Sequence, residues 1–180
     1  MLFCIFDGVD YHLYVQLEVH MRELELLNKW LATLMAGLDA EVDERIRAQV
    51  MGSCGRACAL HHGSIETVKT IQCNVREIDE LLDELNRQKN FWCGRWVRDG
   101  DTIYSVCEEC GCPLVRAGLV ELSPTFCHCS RGWVKAVFET ALGSPVKVEL
   151  EQAIGRGDPV CKFIVLPDRC YVFENSPLLR

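Results

Sequence analysis

Residues 107–129 hold five of the chain's twelve cysteines and one of its five histidines. They read Cys107-Glu108-Glu109-Cys110-Gly111-Cys112-Pro113 and, thirteen residues later, Cys127-His128-Cys129. Thiolates ligate soft and borderline metals such as zinc, Cu(I) and iron–sulfur clusters. A Cys-x2-Cys turn followed after roughly 15–20 residues by a second close pair is a zinc pattern. Cys107 and Cys110 keep the first spacing, and sixteen residues separate Cys110 from Cys127, but the second pair is Cys-x-Cys. Two Cys-x-Cys turns form an equally fair set. Cys110, Cys112, Cys127 and Cys129 are therefore the expected metal ligands. Zinc is the expected ion, with an iron–sulfur cluster as the alternative. The competing reading is a group of buried or redox-active thiols without metal.

A second array lies upstream, in Met51-Gly-Ser-Cys54-Gly-Arg-Ala-Cys58-Ala-Leu-His61-His62. On a helix, Cys54, Cys58 and His61 or His62 share one face. With Cys107 and His128 they make up a reserve metal or thiol site. The bland alternative is that both cysteines are small buried apolar residues. Gly52 and Gly55 permit close backbone approach there. An enzymatic reading takes His61, His62 or His128 as a base, Arg56 or Arg131 as an anion clamp, and Cys54 or Cys58 as a nucleophile.

The whole chain sets the bounds. With 180 residues, half of them apolar, it can build a real core, expected as one compact unit. Net charge is -7 with no run of cations, which argues against nucleic acid as the partner. No stretch approaches the ~18 apolar residues of a membrane span. Without a secretion signal, the cysteines are expected reduced and the protein cytoplasmic.

The elements that position the cysteines follow from periodicity. Residues 1–17 are β-rich in composition, suggesting a hairpin or an extended arm. Met21, Leu24, Leu27, Leu31 and Leu34 predict a helix over 18–36, ended by Gly37. Asp39 is placed to cap a second helix with a Val42, Ile46, Val50 stripe, and homodimerisation through these two helices is expected. Ser64 and Asn74 are N-cap types, the latter leading a helix with Val75, Ile78, Leu82 and Leu85 inward. The turn at Asp99-Gly100 predicts a hairpin delivering Cys107 at its end. Residues 108–125 read as irregular, and Ser130 as the cap of a helix from Arg131 to Leu142, closed by Gly143. Cys127 and Cys129 would then precede a helix N-terminus, which favours thiolate. A last hairpin pairs Val146–Glu151 with Val160–Leu166. Arg156-Gly157-Asp158 is its turn, and Cys161 shares the core face with Phe163 and Val165.

The closing segment, Val148-Glu-Leu-Glu151 with Gly157-Asp158-Pro-Val-Cys161-Lys-Phe163, resembles the 4-vinyl reductase (hydrocarbon-binding) domain over roughly residues 91–166. Met51–Cys58 and Phe126–Trp133 are similar to segments of an uncharacterised Cys-rich group of bacterial cytosolic proteins. The resemblance implies an α+β fold, with N-terminal helices (1–90) packed on an antiparallel sheet of about four strands (91–180). Two hairpins in that sheet are joined by the Cys-rich loop and a helix. It further implies a pocket for an apolar or tetrapyrrole-like small molecule and a binding or sensing role.

Overall fold

The computed structural model describes residues 11–167. It is α+β, as expected. Four helices come first: α1 (Tyr11–Glu41), α2 (Glu44–His61), α3 (Ser64–Gln72) and α4 (Ile78–Arg87). Strands β1 (Arg95–Asp99) and β2 (Thr102–Cys107) follow. Next come the short α5 (Pro113–Arg116), the long α6 (Pro124–Leu142), β3 (Val146–Gln152), a 3-10 turn at Ile154–Arg156, and β4 (Cys161–Pro167). The sheet is fully antiparallel in the order β1-β2-β4-β3.

Alternation decides the sheet's inner face. Trp96, Ile103, Ser105, Cys107, Cys161, Phe163 and Val165 point inward and are buried. Against them α6 lays Val134, Val137, Phe138 and Ala141, and α4 adds Leu81 and Leu85. This core joins residues from the N-terminal helices and from the sheet. Asn86 fastens α4 to β1: its Nδ2 donates to the Trp96 carbonyl at 2.9 Å, and its Oδ1 accepts from the Trp96 N–H at 2.8 Å.

Several boundaries depart from the periodicity reading. Residues 11–17 are helical rather than β; the remainder of that stretch, 1–10, lies outside the described residues. The first helix runs through Gly37 to Glu41, because a lone glycine weakens a helix without ending it. Asp39 is therefore inside α1, and Asp43 caps α2 by accepting from the Ile46 N–H. On α1, Met35 is buried, whereas Leu27 and Leu34 are exposed.

On α2 the buried stripe is Ala48, Met51, Gly55 and Ala59, and Ile46 and Val50 are exposed. Small residues win that face because α6 comes too close for branched ones. Gly63 and Glu77 occupy the N-cap positions expected for Ser64 and Asn74. Ser123, not Ser130, caps α6, with Pro124 in the first turn. Arg156-Gly157-Asp158 forms the β3–β4 connection, where Asp158 Oδ2 accepts from the Ala153 N–H at 2.7 Å.

Candidate functional site

The earlier start of α6 places Cys127, His128 and Cys129 within its first two turns, all three buried. Successive helical residues turn by about 100°, so Cys127 and Cys129 face opposite ways. Cys127 faces the β3–β4 connection. A Cβ on Gly155 would stand 2.5 Å from its sulfur, and its titratable neighbours are Cys161, Cys110 and Arg156. Cys129 faces α2 and α5, with Cys58, Cys112 and Cys54 as neighbours. Of the four ligands expected from sequence, Cys127 thus neighbours Cys110 and Cys129 neighbours Cys112, while Cys110 and Cys112 also neighbour each other. Among the described residues, no three His, Cys, Asp or Glu side chains are grouped to hold a metal ion.

Between α6, the sheet's inner face and the segments 88–93 and 110–113 lies a cavity of about 410 Å3. Seven cysteines reach its lining: Cys58 from α2, Cys93 before β1, Cys110 and Cys112 beside α5, Cys127 and Cys129 on α6, and Cys161 on β4. The rest of the wall mixes five aromatic side chains, Phe91, Trp92, Phe126, Trp133 and Phe163, with polar ones such as His62, Thr67, Gln88 and Arg116. Trp92 stacks on Trp133 at 5.0 Å and on Trp96 at 5.1 Å, and meets Phe163 edge-on at 5.1 Å. Phe91 meets Trp133 edge-on at 5.2 Å. Trp92 Nε1 donates to the buried Ser105 hydroxyl at 2.9 Å, which fixes the stack on the sheet.

The rim carries a disulfide between Cys93 and Cys107, correcting the expectation of fully reduced cysteines. Cys107, a reserve ligand in the sequence reading, is fully buried in that bond and is not a free thiol. Gly111 rests on the bond: a Cβ there would lie 2.7 Å from the Cys93 sulfur.

Burial dominates the thiol chemistry. It pushes Cys127 up to about 11 and raises Cys129, Cys58 and Cys110. Desolvation outweighs the helix terminus that the sequence suggested would favour thiolate, since both α6 cysteines are buried inside the helix. Cys129 and Cys58 are near enough for each to perturb the other's protonation.

Of the histidines, His62 lines the cavity and His61 and His128 do not. His128 is buried, with its Nε2 3.8 Å from Glu44; burial, aided by Arg131, lowers its pKa. Arg56 pairs with Glu139 at 3.1 Å and braces α2 against α6. Sequence reasoning missed Cys93 and the Trp92–Trp133 stack, and read Cys161 only as a core thiol. Cys161 does pack in the core, yet its other side reaches the cavity.

Residues 14–171 match the family of unknown function DUF6144. The chain belongs to that family. Comparison with curated proteins gives no match. Among solved structures, similarity is found to trafficking protein particle complex subunit 3 from Naegleria fowleri, covalently bound to palmitic acid. Identity is 16% and the TM-score 0.52, over 84% of this chain and 98% of that one. It is also found to the phenol-responsive sensory domain of the transcription activator PoxR with phenol. There identity is 14% and the TM-score 0.48, over 78% of this chain and 74% of that one. At these identities the first likeness shows a shared fold. No helix among the described residues is long and apolar enough to cross a membrane.

Proposed function

We propose that this chain binds a small apolar or aromatic molecule in the cavity beneath α6, in a binding or sensing role. The observation that carries this is the cavity itself. At about 410 Å3 it falls within the size range of ligand pockets, and five aromatic side chains give it apolar surface beside polar groups that could orient a ligand. The resemblance of the closing hairpin to the 4-vinyl reductase domain supports the same reading. The trafficking-complex subunit that shares the fold is itself bound to palmitic acid. The thiols whose protonation is perturbed are held neutral, unlike an activated nucleophile, so a binding role is preferred to a cysteine-dependent enzyme.

A homodimer is proposed through α1, whose Leu27, Trp30 and Leu34 are exposed along one side. Sedimentation of Trp30→Glu as a monomer beside a dimeric parent supports it, and a monomeric parent removes it.

Tryptophan fluorescence tests the cavity, since Trp92 and Trp133 line it. Titration with 1-naphthol and with hexanoate should give saturable quenching by at least one of them. Ser130→Phe, which fills the cavity from a half-buried position, should weaken that binding at least tenfold. No saturable quenching by either probe, or quenching indifferent to Ser130→Phe, overturns the reading.

A further inference from the structure

Helices α2 and α6 touch along their backbones. A Cβ on Gly55 would stand 2.0 Å from the Cys129 carbonyl oxygen and 2.6 Å from the Trp133 nitrogen. One on Gly132 would stand 2.3 Å from the Gly52 carbonyl oxygen. Side chains flanking these glycines therefore meet at short range. Cys58 follows Gly55 by three residues and Cys129 precedes Gly132 by three, so the crossing brings the two thiols to the same part of the cavity wall, near enough to perturb each other's protonation. Cys112, at the N-cap of α5, packs in the small apolar cluster that contains Cys129. All three line the cavity. Cys54, one helical turn before Cys58, is exposed.

Two neighbouring sulfurs do not meet the demand of a four-coordinate ion, and no group of three ligands is found among the described residues. They do suit a soft cation that is satisfied by two thiolates and prefers sulfur to oxygen or nitrogen. We propose that Cys58 and Cys129 form a two-thiolate site for a soft monovalent cation of the Cu(I) class, with Cys112 flanking it. Binding forms two sulfur–metal bonds and releases one proton from each thiol to solvent; no electron is transferred. The bound unit carries one negative charge, and Arg116 lines the same cavity as a counter-charge. The proposal does not rest on the organic-ligand reading above.

The test uses the full chain under nitrogen, without thiol reductant, and Cu(I) added as its acetonitrile complex. One equivalent should slow iodoacetamide labelling of Cys58 at least tenfold, mapped by peptide mass spectrometry, while exposed Cys73 labels as before. Cys129→Ser should abolish that protection. Cys58→Ala, at a half-buried position on α2, should abolish stoichiometric binding with an unchanged far-UV circular dichroism spectrum. X-ray absorption of the parent complex should show Cu(I) with two sulfur neighbours. Unprotected Cys58 overturns the proposal, as does protection surviving in a folded Cys129→Ser. So does a native Cys58–Cys129 disulfide, or tighter Zn(II) binding that protects Cys110 and Cys127 instead.

Discussion

Cys127 and Cys129 stand two positions apart on α6 and serve opposite sides of it. Cys127 looks toward Gly155 and Cys161, and Cys129 toward Cys58 and Cys112. A Cys-x-Cys turn in a loop can chelate one ion. Inside a helix the second thiol is rotated by about 200° from the first, so each meets neighbours of its own.

The α2–α6 crossing should be intolerant of any side chain at its glycines. Gly55→Ala must push apart two helix backbones and is expected to lower stability by about 2–3 kcal/mol in urea unfolding. Gly37→Ala is the control. It sits in the interior of α1 with nothing within 4 Å of the new methyl, and should raise stability by about 0.5–1 kcal/mol. Equal, small effects at both positions would contradict the close crossing.

Asp39 holds α1, α2 and the start of α6 together. Its Oδ1 accepts from the Thr125 hydroxyl at 2.7 Å and the Thr125 N–H at 3.1 Å, and pairs with Arg47. Thr125→Val should cost about 1–3 kcal/mol, because a fully buried hydrogen-bonded hydroxyl is removed. Asp39→Ala should cost more, about 3 kcal/mol, because it also strands the largely buried Arg47 guanidinium. An order reversed in chemical denaturation would refute this.

Acid should unfold the protein in part through His128. Its folded-state pKa is lowered, by burial first and Arg131 second, while Glu44 opposes the shift. The unfolded chain therefore takes up this proton first. The contribution is complete above the unfolded value of about 6.5 and is lost as pH falls through the folded one. Thermal melts across that window should show a falling midpoint for the parent and a flatter profile for His128→Leu.

The Cys93–Cys107 bond closes a short loop that carries Trp96 and the first hairpin. Cys93→Ser, at the exposed end of the bond, should lower stability by about 2–3 kcal/mol. Non-reducing peptide mapping should recover the 93–107 link in the parent. Because Cys127 is pushed up to about 11, its alkylation rate should keep rising toward that pH, past the plateau of an ordinary thiol. A plateau near pH 9 would show that burial does not control it.

The sequence by itself determined the local, periodic features. The inward stripe of α4, the Asp99-Gly100 hairpin, the alternation of β3 and β4 and the Gly143 helix end all follow from neighbours within a few residues. Composition alone marked the cysteines as the place of interest, and Gly52 and Gly55 as points of close approach. Tertiary structure decided the rest. Ser123 caps α6 locally, and Thr125 in that first turn is bonded to Asp39, eighty-six residues away. That cap turns an expected loop into a helix and sends neighbouring thiols to different partners. Which cysteines meet is fixed by the helix crossing and by the pairing of β2 with β4, long-range contacts that spacing along the chain does not encode.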